Sequence, residues 1–316
     1  MITISLLILL VSFITYRIAF YSPENKAKRK EDVYDLPDTE ASRKGKAEMK
    51  RMIDELKSMP AQEVWITAFD GTKLYGRYYH ICDEAPLQIQ FHGYRGTAYR
   101  DFCGGNKLAR KMGFNTLLVD QRAHGQSAGH TITFGVNESK DCLSWINYAV
   151  ERFGKEKPIY LAGVSMGAAT VLTAAGRQLP ESVKGVIADC PFSSPEDVIK
   201  KFVEKMGYPP KLVFPFLALG VRIFGKTNIK SASPQTAVAS ASVPMLILHG
   251  EADSLVPCEM SRALYEKNPQ YVQLVTFPNA DHGMSYMSDP MRYEQAVQDF
   301  VEKCKKMGDR GDEKSL

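Results

Sequence analysis

The sequence predicts an α/β protein with a mainly parallel, twisted sheet and helices on both of its faces. Short apolar runs recur along the chain, and most of them are followed by a helical pattern. Apolar runs spaced by helices are typical of parallel strands that are buried on both faces. The predicted strands are residues 87–91, 116–120, 159–164, 185–189, 245–249 and 272–277.

Two further patterns predict individual elements. The runs VWITAF and KLYGRYY flank the pair Asp70-Gly71, a strong signal for a hairpin, so the sheet is expected to begin with antiparallel strands. Helical spacing also places five apolar side chains on one face of a predicted helix: Cys142, Ile146, Ala149, Val150 and Phe153.

The composition is that of a globular protein and excludes several classes. The 316 residues are 44% hydrophobic and 24% charged. The net charge is only +4, and the lysines and arginines are mostly interleaved with acidic residues, so nucleic-acid binding is not expected. The six cysteines are widely scattered without the spacing of metal ligands. We therefore expect reduced thiols, which favour the cytoplasm, and neither a zinc site nor a disulfide framework.

Residues 1–22 are predicted to be a transmembrane anchor, because residues 2–20 are mostly apolar and have about the length that a bilayer demands. The alternative is a cleaved signal peptide, but no basic segment precedes the run and no small-residue cleavage site follows it. The positive residues Lys26, Lys28, Arg29 and Lys30 come directly afterwards. By the positive-inside rule we expect a single-pass protein of the cell membrane with its main domain in the cytoplasm. The alternative is the reverse orientation, which would put that domain outside.

Residues 23–60 are predicted to be a basic linker followed by an amphipathic helix. Met49, Met52, Ile53, Leu56 and Met59 step by three and four, which gives an apolar stripe on an otherwise charged helix. We expect this helix to dock on the main domain. A helix lying on the membrane surface is the alternative.

Ser165 is the candidate nucleophile. In open α/β sheets ligands bind beyond the carboxyl ends of the strands, and Ser165 follows the run IYLAGV and precedes a helix rich in small residues. Gly163 and Gly167 allow the sharp turn that holds a serine side chain out between strand and helix. A turn serine placed there by chance is the alternative interpretation.

His282, in the loop after the last strand, is the candidate base that takes the proton from the serine. His92, His124 and His249 are expected to be structural. Asp253 follows the penultimate strand and fits the carboxylate that orients the imidazole, in the chain order Ser, Asp, His. Three other acids compete with Asp253: Asp189, Glu251 and Asp281, which adjoins His282 and would struggle to reach its ring.

Two backbone amides are expected to stabilise the oxyanion of a tetrahedral intermediate. One belongs to Met166, directly after the serine, and the other to Tyr94 in the loop HGYRG after an early strand. The side chain of Tyr94 could equally be an aromatic residue at the rim of the site.

In their order along the chain, the motifs HGYRG, DQRAHGQS, GVSMG, GEADSLVP and DHG resemble those of the α/β-hydrolase superfamily. The sequence is most similar to its bacterial membrane-anchored branch of serine aminopeptidase-like or prolyl-oligopeptidase-like hydrolases. The resemblance implies an α/β-hydrolase domain over residues 61–305, a helical lid at about 192–242 and a flexible tail over 306–316. The apolar residues of the lid suit acyl chains.

These observations predict a serine hydrolase that cleaves carboxylic esters or thioesters through an acyl-enzyme. The partners expected are a small acyl ester or peptide-like substrate and, through the N-terminal helix, the membrane. No metal or organic cofactor is needed, and the glycine motifs match neither a dinucleotide nor a phosphate-binding pattern. The alternatives are a serine aminopeptidase or oligopeptidase, and a binding protein on the same fold without catalysis.

Overall fold

A computed structural model describes residues 2–23 and 40–312. Within these ranges a single sheet carries eight strands in the order β1-β2-β4-β3-β5-β6-β7-β8. The strands are β1 (Gln62–Thr67), β2 (Lys73–Tyr79), β3 (Leu87–Phe91), β4 (Asn115–Asp120), β5 (Ile159–Val164), β6 (Val183–Asp189), β7 (Met245–Gly250) and β8 (Val272–Phe277). The predicted apolar runs are therefore the strands.

The strand directions also agree with the prediction. Strands β1 and β2 form the antiparallel hairpin around Asp70-Gly71, and β2 pairs antiparallel with β4. From β4 to β8 each neighbouring pair is parallel. The carboxyl ends of these six strands consequently lie at one edge of the sheet, where an open α/β sheet binds its ligands.

Helices cover both faces of the sheet. The helices are α1 (Ile2–Ala19), α2 (Glu40–Ser58), α3 (Ala98–Lys111), α4 (Glu138–Phe153), α5 (Met166–Ala175), α6 (Pro195–Lys205), α7 (Pro210–Phe224), α8 (Pro234–Ser240), α9 (Glu259–Lys267), α10 (Ser285–Ser288) and α11 (Pro290–Asp312). One face packs against α4, α5, α8 and α9, and the other against α3 and α11. The predicted α/β class is confirmed.

Helix α2 docks on the main domain, as its apolar stripe predicts. Met49, Met52, Ile53 and Leu56 are buried, and the helix packs against α3. At the edge of this contact Glu55 of α2 lies 4.0 Å from the ammonium group of Lys107 in α3. The preceding basic segment, with Lys26 to Lys30, lies outside the described residues.

Helix α1 packs against α7. A methyl group at Gly220 of α7 would collide with the carbonyl oxygen of Ser12, so the two backbones lie in direct contact. Tyr16 and Phe20 are buried at this contact, whereas most of the large apolar side chains earlier in α1 are exposed.

In the described ranges, no helix combines the length and the apolarity that crossing a membrane requires. The structure thus does not support the anchor predicted over residues 1–22. The membrane location and the cytoplasmic orientation stay predictions.

The segment between β6 and β7 forms helices α6, α7 and α8, where the sequence predicts an insertion at about 192–242. Helix α11 continues to Asp312, into the segment 306–316 for which the sequence predicts a tail, and residues 313–316 lie outside the described residues.

Candidate active site

Ser165 lies at a sharp turn between β5 and α5, with the strained backbone angles φ 54° and ψ −114°. A positive φ is uncommon for a residue with a side chain. The glycines on either side make the turn possible: a methyl group at Gly163 would collide with the carbonyl of Gly167, and one at Gly167 with the carbonyl of Phe91. This is the backbone geometry that a nucleophile elbow requires. The role of Ser165 as the nucleophile stays a prediction.

A chain of hydrogen bonds links Ser165, His282 and Asp253. The Oγ of Ser165 lies 2.9 Å from Nε2 of His282, and Nδ1 of the same ring lies 2.7 Å from Oδ2 of Asp253. Since a carboxylate only accepts, Nδ1 carries the proton, and Nε2 of the neutral ring accepts from the serine hydroxyl. The ring can therefore take the proton of the hydroxyl, and the carboxylate can stabilise the imidazolium that forms.

Four donors surround the carboxylate of Asp253, which is fully buried. Its Oδ1 accepts from the amides of Leu255, at 2.9 Å, and Val256, at 2.7 Å, while Oδ2 faces His282 and His249. Burial alone would raise the pKa of Asp253, but the hydrogen bonds from the two histidines and from Val256 outweigh it and hold that pKa well below its ordinary value. The carboxylate is thus ionised and fixed in position.

The other candidate acids have different partners. Asp281 accepts from the amides of Ser254, at 2.9 Å, and His282, at 2.7 Å, and so joins two loops of the site. Asp189 is buried and accepts from the hydroxyl of Ser285 at 3.2 Å. Burial raises the pKa of Asp189 to about 6, which opposes the role of a permanently charged partner for an imidazole.

Glu251, the third competing acid, is exposed and accepts from Thr276 at 2.7 Å and from Arg262 at 3.2 Å. Among the acids weighed from the sequence, Asp253 is therefore the one that the structure places on the ring of His282.

His249 belongs to the site in a way that the sequence does not indicate. Its ring is fully buried, and Nε2 lies 3.2 Å from Oδ2 of Asp253 and 2.9 Å from the carbonyl of Val256. Because both partners are acceptors, Nε2 carries the proton. Its Nδ1 lies 2.6 Å from the hydroxyl of Ser261. The signal in the sequence is only that a histidine lies at the penultimate position of β7, four residues before Asp253.

His92 and His124 shape the loop HGYRG, as expected of structural histidines. His92 is buried, its Nδ1 lies 2.8 Å from the carbonyl of Gly93, and its Nε2 accepts from the amide of Gln121 at 3.1 Å. Nε2 of His124 accepts from the amide of Arg95 at 3.0 Å. Both rings thus fix the backbone on either side of Tyr94.

Met166 follows the serine directly in the chain, and the loop that carries Tyr94 approaches the serine in space. Met166 is the first residue of α5, and helix N-termini favour developing negative charge. A methyl group at Gly93 would lie 3.3 Å from Cβ of Ser165, so the loop carrying Tyr94 passes directly beside the serine. Within the described residues neither amide donates a hydrogen bond to a protein acceptor, which leaves both available for an oxyanion.

The side chain of Tyr94 has its own contacts. Its hydroxyl donates to the carbonyl of Ala19 at 2.8 Å, and its ring stacks on Phe134 with the centroids 4.8 Å apart. The end of α1 is thereby held against the loop. The side chain thus packs between α1 and Phe134 at the rim of the site.

Cys190 is a second potential nucleophile near the imidazole, with its Sγ 4.0 Å from Nε2 of His282. Burial raises the pKa of this thiol well above its ordinary value, so it stays protonated and unreactive. Sγ of Cys190 also lies within 4.8 Å of ligand atoms of His282 and Asp253, a grouping that could hold a metal ion, although both ring nitrogens already face hydrogen-bond partners. All six cysteines are free thiols.

Comparison with known proteins bears on the fold. A sequence-family model for the alpha/beta hydrolase fold matches residues 89–212, and a second family model, BD-FAE, matches residues 215–268. The structure is similar to the esterase Pf2001 of Pyrococcus furiosus, with a TM-score of 0.63 and 24% identity over 79% of this chain and 94% of that protein. At this level of identity the likeness concerns the fold.

Two curated relatives extend the comparison. The uncharacterised protein YqkD of Bacillus subtilis is 29% identical over 60% of this chain and 63% of its own length. The lysophosphatidylserine lipase ABHD12 of Danio rerio is 26% identical over 57% of this chain and 47% of its own length. The chain thus matches less than two thirds of either relative. Together these matches show that the chain has the α/β-hydrolase fold.

Proposed function

We propose that this protein is a serine hydrolase that cleaves carboxylic esters or thioesters. The observation that carries the proposal is the continuous chain of hydrogen bonds from Ser165 through His282 to Asp253, with the serine on a strained elbow. The names of two similar proteins support an ester substrate, since one is a lysophosphatidylserine lipase and the other an esterase.

The first half-reaction forms an acyl-enzyme. Oγ of Ser165 attacks the carbonyl carbon while Nε2 of His282 takes the hydroxyl proton, and Asp253 stabilises the resulting imidazolium. The amides of Met166 and Tyr94 donate to the oxyanion, each contributing on the order of 100-fold or more in rate. When the tetrahedral intermediate collapses, the imidazolium gives its proton to the leaving alcohol or thiol.

The second half-reaction releases the acid. Water attacks the acyl carbon while His282 takes a proton from it, and the same proton returns to Oγ of Ser165 as the ester bond to the enzyme breaks. The products are a carboxylic acid and the free serine. All proton transfers pass through one imidazole, so no metal is needed.

The insertion after β6 is placed to cover part of the site. Phe202 of α6, within the insertion, and Leu255, after β7, line the cavity beside Ser165. These apolar side chains favour a substrate whose reacting carbonyl carries apolar groups.

Rates of hydrolysis of p-nitrophenyl butyrate and of aminoacyl p-nitroanilides test the proposal. We expect the wild type to cleave the ester, and Ser165→Ala to lose at least a thousandfold in kcat. Ser193→Ala, at another serine close to the insertion, is the matched control. Equal ester rates in wild type and Ser165→Ala would contradict the proposal, and preferential cleavage of the anilides would replace the esterase by a peptidase.

A further inference from the structure

A cavity of about 570 Å³ opens beside Ser165 and runs into the domain on the α3 and α11 face of the sheet. Its volume lies within the range of roughly 300–1,000 Å³ that is usual for small-molecule sites. Residues of α3 line it from Asp101, close to the serine, to Ala109. Eight residues of helix span roughly 12 Å, so the cavity extends well beyond the reacting atoms.

Five parts of the fold build the walls of this cavity, which we call the chamber. Met49 and Met52 come from α2, and Met284 and Met287 from the segment around α10. Sheet, α3 and α11 supply the remaining apolar side chains: Ala162, Ile187, Leu108, Ala109 and Val297. Helix α2 therefore completes a site that the domain alone would leave open.

The space on the opposite side of the serine is filled. Phe134, Phe192, Phe214 and Leu217 are buried there in one cluster with Tyr16 of α1. A long apolar group bound at Ser165 consequently has the chamber, and not the space under α7, as the room available to it. This differs from the expectation from the sequence, in which the apolar side chains of the insertion contact the acyl chain.

The polar side chains along the chamber have partners in the protein. Asp101 accepts from the amide of Gly93 at 2.7 Å and from Arg100 at 2.7 Å. Oε1 of Gln88 accepts from Gln90 at 2.6 Å, and Asp189 is held by Ser285 at 3.2 Å. Both carboxylates and the carbonyl oxygen of Gln88 are thus paired within the protein, and the many apolar side chains of the lining suit an apolar ligand.

We infer that the chamber binds the unbranched long acyl chain of the substrate, with the ester carbonyl at Ser165 and the methyl end near Ala109. The inference rests on the proposed hydrolase function and names its substrate class. At the deep end Leu108, Ala109 and Val297 are buried, so the chamber is closed there. A leaving alcohol in a closed chamber would be trapped behind the acyl-enzyme, whereas an acyl chain stays attached to Ser165 until water releases it.

The methionines suit this ligand. Their side chains are unbranched and polarisable and adapt to irregular apolar surfaces. Met49, Met52 and Met284 pack in one cluster with Cys103, against the half-buried Met287. Such a wall can follow the many conformations of an alkyl chain better than β-branched side chains could.

Two substitutions test the inference by changing the chamber in different ways. Ala109→Leu fills its deep end, and Met52→Gln places an amide of similar length in its roof. The measured quantity is the ratio of kcat/KM for p-nitrophenyl laurate to that for p-nitrophenyl butyrate. Each methylene buried is worth about threefold to fourfold in rate. We expect each variant to lower the ratio at least tenfold, because laurate needs the deep chamber and butyrate does not.

Two matched controls separate the chamber from general effects on packing. Ala149→Leu makes the same change in α4, on the other face of the sheet, and Met59→Gln makes the same change beside α2 in a half-buried residue that does not line the chamber. Both should leave the ratio within twofold of the wild type. If one chamber variant fails to fold, the other still tests the inference.

Labelling by fluorophosphonates with an ethyl or a dodecyl chain distinguishes the two possible failures. Faster labelling of the wild type by the dodecyl probe, reversed in Ala109→Leu, supports the inference. The inference would be overturned if the protein is labelled and hydrolyses butyrate, but neither chamber variant changes the laurate-to-butyrate ratio. Absence of any labelling and of any ester hydrolysis would overturn the proposed function itself.

Discussion

Nε2 of the buried His249 lies 3.2 Å from Oδ2 of Asp253, the same oxygen that accepts from His282. The carboxylate is thus held by one imidazole on the side of the serine and by another from within the domain. We interpret His249 as a positioning residue: it contacts no reacting atom, but it fixes the group that orients the base.

Replacing His249 by glutamine should lower kcat about tenfold to a hundredfold, since a hydrogen bond to a charged group contributes about 1.5–3 kcal/mol. The hydrogen bond from His249 helps to lower the pKa of Asp253, so its loss should raise that pKa. A carboxylate with one donor fewer attracts the imidazolium of His282 more strongly, so the acid limb of the pH–rate profile should move to higher pH. His80→Gln, at a half-exposed histidine, is the control. An unchanged profile would show that His249 contributes only to stability.

Tyr94→Phe should retain ester hydrolysis within about threefold, because the backbone amide that faces the oxyanion remains. The hydroxyl donates to the carbonyl of Ala19 at 2.8 Å, and its removal should lower the free energy of unfolding by about 1 kcal/mol. Urea unfolding and kcat/KM measure the two effects. A hundredfold fall in kcat in a folded variant would mean that the hydroxyl takes part in the reaction.

Asp189→Asn should change how stability depends on pH. Burial raises the pKa of Asp189 from its ordinary 3.8 to about 6, so the folded state binds a proton more tightly than the unfolded state does. The stabilisation is present below about pH 4 and is lost as the pH rises through about 6, and it amounts to about 3 kcal/mol. Asparagine does not titrate in this way.

Urea unfolding of wild type and Asp189→Asn at pH 4.5 and pH 7.5 measures this effect. We expect the variant to gain stability relative to the wild type at the higher pH, by up to about 3 kcal/mol. The exposed Asp83→Asn provides the matched control. A difference between the two proteins that is the same at both pH values would contradict the prediction.

Much of the site could be predicted because its parts lie in local sequence patterns. Ser165 stands between glycines after an apolar run, and the glycines are required by the close approach of backbone that the structure shows at Gly167 and Phe91. Asp253 and His282 follow the last two strands, and parallel strands bring such positions to one edge of the sheet. Strand order and chain order together are enough to predict that these three side chains meet, whereas their catalytic roles stay predictions.

The remaining features depend on packing between distant segments, which periodicity does not report. The apolar run of α1 is equally compatible with lipid and with a protein surface, and the contact between Ser12 and Gly220 shows that α7 covers part of it. Met49 and Met52 were predicted to dock, but their place in the wall of a cavity depends on α3 and α10. The orientation of the His249 ring likewise cannot be predicted from the sequence.

The most direct measurement is the mass of the intact protein after treatment with a fluorophosphonate, followed by peptide mapping of the adduct. The proposed mechanism predicts one adduct per chain, on Ser165, that forms at least a hundredfold more slowly when His282 is replaced by glutamine. An adduct on another residue, or labelling of Ser165 at the same rate without His282, would contradict it.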